Sequence, residues 1–162
     1  PTVASLNLTQ YLGLWYNIAV DKLVLATFQS QYCVQAEYGP INSDGTVGVL
    51  NTEREDSIYG PVQNISGYAR QADAENYPGK LLVHLDGGMA GEAPYWILLL
   101  GPIVNDQYSY VVVSDPLCAF MWVLAREPSL SQSDTETIQT FLENLGWAIP
   151  DNYVMIYQEG CY

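Results

Sequence analysis

Basic side chains are scarce. Five Lys and Arg stand against 18 Asp and Glu, which leaves a formal net charge of -13 at pH 7. Phosphate recognition needs clustered Lys and Arg, so nucleic acid is not an expected partner. An anionic membrane surface is disfavoured on the same ground. Charge of either sign is thin, at 14% of the residues against the usual ~25%. Histidine occurs once, at His84. Long apolar runs are missing too: the longest, Tyr95–Val104, is too short to cross a bilayer as a helix. No basic start with an apolar stretch follows Pro1, so a signal peptide is not expected, although a processed secreted chain would look the same. Fixed-period repeats and low-complexity tracts are absent. So are a Walker loop, a Rossmann glycine fingerprint, a nucleophile elbow, an HExxH and a CxxC.

What is present suits one domain over residues 1–162, with 49% hydrophobic residues and enough length to build a core without a metal or a dense disulfide framework. Helical signal is confined to two places. Leu8–Tyr16 reads as a short turn of helix capped by Asn7 or Thr9. Ser131–Leu145 is stronger: Ser131 or Ser133 caps it, Asp134 and Glu136 sit in its first turn, and Ile138, Phe141, Leu142 and Leu145 form one face. Gly146 ends it. The rest reads as strand and turn: Phe28–Tyr38, Thr46–Glu55, Gln63–Arg70, Lys80–Asp86, Tyr95–Leu100, Tyr108–Ser114, Phe120–Arg126 and, last, Tyr153–Gln158. Strands at about ten-residue spacing predict an all-β sandwich or an up-and-down barrel, with one late helix.

Alternation assigns faces. Leu81, Val83 and Leu85 share one, and His84 looks the other way with Lys80. Ile65, Gly67 and Ala69 look inward. Two of them are small, as a barrel with a cavity requires and as a crowded barrel corner requires equally. Val47, Val49, Asn51, Glu53 and Glu55 share a face. Phe120, Trp122, Leu124 and Arg126 share another. An Arg on an apolar face needs a partner, and cation–π stacking on a Trp indole would supply one.

Gln10–Ala19 reads QYLGLWYNIA and Met121–Pro128 reads MWVLAREP. Together they resemble the lipocalin family, whose first strand opens on a Gly-x-Trp signature (here Gly13-Leu14-Trp15) and whose last barrel strand ends in an Arg (here Arg126). Tyr32–Tyr38, YCVQAEY, and Ala93–Leu98, APYWIL, look like the branch that holds apolipoprotein D and its bilin-binding and bacterial relatives. The resemblance runs from about Leu8 to Cys161. The family's middle motif, Thr-Asp-Tyr, is not intact; its nearest counterpart is Val104–Tyr108, after an unusual Gly101-Pro102. The resemblance implies an eight-stranded antiparallel barrel with the helix outside, closed at one end by Arg126 on Trp15.

It also implies a function: holding a small hydrophobic ligand (a bilin, retinoid or carotenoid, steroid or fatty acid) in the barrel for transport, storage or sequestration. The candidate contacts are Tyr38, Val49, Asn51, Glu53, Ala69, Val83, Leu85, Tyr95, Ile97, Phe120 and Trp122, of which Tyr38, Tyr95 and Trp122 resemble apolipoprotein D pocket positions. Cys33, in the Phe28–Tyr38 run, and Cys161 are implied to pair, which would place the protein in an oxidising, secreted or extracellular setting; the alternative is two free thiols. Cys118 is left over, with no base nearby in sequence to activate it. His84 reads as a surface side chain rather than a metal or haem ligand. Glu53 and Glu55 are two carboxylates for the cavity, or solvated groups at its mouth. Two sequons make Asn7 and Asn64 candidate glycosylation sites. No metal and no cofactor is required, although a bound chromophore such as a bilin or carotenoid fits. A monomer or small homo-oligomer is expected. Two other readings stand: a chromoprotein or lipocalin-type enzyme, and a barrel filled by its own side chains.

Overall fold

A computed structural model describes residues 1–88 and 90–162. The chain starts with a four-residue helix, α1 (Leu8–Tyr11), whose cap is Asn7, accepting from the Gln10 N–H. The short helical turn expected within Leu8–Tyr16 is therefore present and occupies its first four residues. Gly13, at φ 100°, turns the chain out of α1 into β1 (Gly13–Val20). Short α2 (Lys22–Thr27) follows, capped by Asp21; the sequence reading had no helix here. The strands β2 (Tyr32–Ile41), β3 (Val47–Arg54), β4 (Val62–Gln71), β5 (Lys80–Leu85) and β6 (Ala93–Leu100) come next. Cys33 therefore lies in the second strand, and Phe28 to Gln31 belong to the link from α2 rather than to a strand.

The stretch that departs from the family motif forms a small hairpin, β7 (Ile103–Val104) with β8 (Gln107–Tyr108). Its two turn residues, Asn105 and Asp106, have φ of 51° and 62°, the left-handed pair that a two-residue primed turn demands. Then come β9 (Tyr110–Ser114), β10 (Met121–Ala125), α3 (Gln132–Asn144) and the brief β11 (Val154–Met155).

Each of the strands β1 to β6, β9 and β10 pairs antiparallel with its neighbour, and β10 pairs back onto β1. The result is a closed eight-stranded barrel, with β11 added beside β1. Ser131 caps α3, and Ile138 and Leu142 on its inner face are fully buried. They pack outside the barrel on Ile18, Leu98, Val112 and Val123. The Cys33–Cys161 disulfide ties the C-terminal tail to β2.

Gly67 settles one ambiguity. A Cβ there would stand 1.8 Å from the His84 carbonyl oxygen. The residue is small because β4 and β5 approach closely, not to leave room for a ligand. Ala69 is likewise buried in packed core.

Candidate ligand-binding site

The two ends of the barrel differ. At the end where β1 begins, the Arg126 guanidinium sits 3.7 Å from the Trp15 ring centroid. Its Nε donates to the Tyr108 carbonyl at 3.0 Å, one terminal nitrogen to Leu14 at 2.8 Å, and the other to Gln10 and Tyr11 at 3.1 Å each. Burial pulls this guanidinium down to about 10, so it remains charged at neutral pH. Trp15 donates its indole N–H to the Tyr11 carbonyl at 2.9 Å. This end is shut.

Above the plug, three tyrosine hydroxyls meet. Tyr95 lies 2.5 Å from Tyr11 and 2.9 Å from Tyr38, oxygen to oxygen. Burial pushes all three phenols well above their ordinary value.

From these phenols a cavity of about 670 Å³ opens toward the other end. Its middle is walled by Ala36, Val49, Val83, Leu85, Val113 and Leu124. Higher up, Gln35, Thr52, Glu53, Gln63 and Asn64 form a polar collar. The link after α2 closes part of the rim. Gln29 accepts from the Trp122 indole at 3.2 Å and donates to Asn17 at 2.7 Å. Asn17 in turn donates to the Ala19 and Val123 carbonyls. Phe28 packs edge-on against Phe120 at 4.9 Å. The Glu53 carboxylate accepts from the Ser30 backbone N–H.

None of the five basic residues lines the cavity. Glu92 at the rim forms a bidentate pair with Arg70, at 2.7 and 2.8 Å, and accepts from Tyr68. That pairing, the Arg70 hydrogen bonds foremost, pulls Glu92 down to about 2.

Residues 6–152 of the chain that builds this closed barrel match a family model described as a lipocalin-like domain. The chain belongs to the lipocalin-like family. Temperature-induced lipocalin-1 of Arabidopsis thaliana is 28% identical to it over 158 residues, covering 93% of this chain and 76% of that protein. Outer membrane lipoprotein Blc of Vibrio cholerae is 29% identical over 136 residues, covering 80% and 70%. Among solved structures, insecticyanin from the tobacco hornworm Manduca sexta superposes with a TM-score of 0.69 at 16% identity, covering 96% of this chain and 82% of that one.

In this lipocalin Tyr38, Val49, Asn51, Glu53, Val83, Leu85, Tyr95 and Trp122 line the cavity. Ala69 and Ile97 do not; they lie in the packed core beneath it. Phe120 stands outside the lining, its ring 6.1 Å from that of Trp122. Glu55 falls past the end of β3, exposed, so a pair of cavity carboxylates does not form on this strand. His84 points outward, its Nδ1 2.8 Å from the Gly91 carbonyl. Cys118 is exposed and free. Asn7 caps α1, and Asn64 is exposed on the collar.

Asn17, Phe28, Gln29 and Gln63 were missed, and so were Ala36, Val113 and Leu124 of the middle wall. Asn17 shares the inward parity of Trp15, and Gln63 that of Ile65, so alternation carried a signal for both. Gln29 and Phe28 lie in a link, where alternation says nothing. Tyr11 was also missed, because it reaches Tyr95 from a helix outside the strand pattern.

Proposed function

We propose that this lipocalin binds a small, mainly apolar molecule that is neutral or positively charged, and that it carries, stores or sequesters it. The observation that supports this reading is the 670 Å³ cavity, apolar in its middle, open at one end and lined by no basic residue. An apolar ligand gains roughly 25 cal/mol per Å² of apolar area removed from water. An anionic ligand would find Glu53 at the collar and no cation to offset it. The occupied pocket needs no cofactor; a chromophore is one member of the class it admits.

Binding rather than catalysis fits the lining, whose described residues include neither His84 nor Cys118. The disulfide favours an oxidising compartment, consistent with a secreted carrier. The net charge of -13 opposes self-association, consistent with a monomer or small homo-oligomer. Native mass spectrometry of the protein from its natural source tests the reading. A bound apolar molecule of small mass is expected. A bare 18.0 kDa species whose Trp fluorescence no retinoid, bilin, fatty alcohol or alkylamine quenches overturns it.

A further inference from the structure

Three phenol hydroxyls at the cavity floor carry three hydrogens and make two hydrogen bonds, Tyr11 to Tyr95 and Tyr38 to Tyr95. A hydroxyl donates one hydrogen and has two acceptor lone pairs. Two bonds among three hydroxyls therefore leave one O–H with no acceptor, whichever way the chain of bonds runs. Among the described residues, no further protein partner lies within reach of any of the three.

The spare hydrogen has a preferred place. Tyr11 is 3% exposed and does not line the cavity. A spare hydrogen there would be buried against the Trp15 and Tyr38 rings, at the full desolvation cost of an unmade bond. If Tyr11 donates to Tyr95, the spare hydrogen emerges on Tyr38 or Tyr95. Both line the cavity. Asn51, paired with Ala36 in the middle of the wall, and the collar and rim groups all sit higher than Tyr38, so this is the donor at the deep end.

We propose that this spare O–H reads an acceptor oxygen, a carbonyl or ether, on the end of the ligand that enters first. The cavity then selects apolar molecules bearing such an oxygen over hydrocarbons of the same shape. The inference rests on the carrier reading above and narrows its ligand class.

The test is equilibrium binding of 1-acetylpyrene and 1-ethylpyrene, matched in shape except for the oxygen, read by quenching of Trp fluorescence. The wild type is expected to prefer the ketone by about tenfold. Tyr11→Phe keeps the preference, because two hydroxyls sharing one bond still leave one hydrogen for the cavity. The double variant Tyr38→Phe/Tyr95→Phe loses it, the ratio of the two affinities falling to about one. The carbonyl stretch of bound 1-acetylpyrene should lie below its position in an alkane solvent; this needs no variant and decides the case if the double variant does not fold. Equal affinities in the wild type, an unshifted stretch, or a preference that survives in the folded double variant overturns the acceptor proposal alone. Binding of neither probe overturns the carrier reading and this inference with it.

Discussion

Arg126 is stacked 3.7 Å from the centroid of the Trp15 ring while its three guanidinium nitrogens hold four backbone carbonyls. Those carbonyls come from α1, β1 and β8, so one side chain fastens the N-terminal segment to the last barrel strand. Arg126→Gln removes the stacking and leaves carbonyls short of donors. A loss of about 2–4 kcal/mol is expected, measured as a lower midpoint in urea. Ligand affinity of the protein that remains folded should change little, because the cavity opens at the other end.

The disulfide joins residues 128 positions apart. In the chain-entropy picture a loop of that length stabilises by up to about 5 kcal/mol. Cys33→Ser/Cys161→Ser should melt well below the wild type. A thiol assay on the untreated folded protein should find Cys118 reactive, since it is free and exposed. Three reactive thiols would contradict the bridge.

Gly67→Ala tests the close approach of β4 and β5. The added methyl would meet the His84 carbonyl, which is backbone and cannot swing aside. The expected cost is about 3 kcal/mol, the upper end for overpacking. A neutral result by chemical denaturation would mean that the strands part there easily.

The collar carboxylate should sort ligands by charge. Dodecanol and dodecylamine are expected to bind, and dodecanoate about tenfold more weakly. Glu53→Gln should narrow that gap by strengthening dodecanoate. Calorimetric titration reads both effects, and equal affinity of all three in the wild type would refute the charge preference.

Alkaline stability follows from the buried phenols. Tyr153 is pushed by burial from 10.0 up to about 12, and the floor tyrosines are raised well above 10.0 by burial too. A group raised in the folded state adds stability that is whole below its unfolded value and is lost as pH rises through the folded one. Stability from these groups should hold to about pH 10 and decline toward about pH 12. Thermal melts across that range, with phenolate absorbance on the same samples, check it. A melting point that rises over the interval would be the wrong sign.

Alternation along the strands put Arg126 on an apolar face and turned His84 outward, because both follow from a period of two; the Trp15 partner came from the family resemblance. Most of the cavity wall follows from the same period. Its depth does not. Ala69 and Ile97 share the inward parity of wall residues but sit lower, in packed core, and alternation carries no height along the barrel axis. Gly67 shows a second limit: an inward glycine marks either open space or a close backbone, and only the 1.8 Å approach decides. The α2 helix was hidden for another reason. Six residues are too few for a helical period to stand out, and its clearest mark is the Asp21 cap. The phenol cluster draws on α1, β2 and β6, three separated stretches that no local pattern joins.

The seam between β10 and β1 also has a consequence in time. Leu14 lies 112 positions from Arg126, which holds its carbonyl. Contacts that distant form late and slowly. Strands β2 to β6 pair in sequence order without the seam, whereas the Arg126 plug beneath the phenols needs β10 brought back to α1 and β1. On the carrier reading proposed above, the complete pocket exists only once β10 has closed on β1, so ligand uptake is expected to follow closure of the barrel.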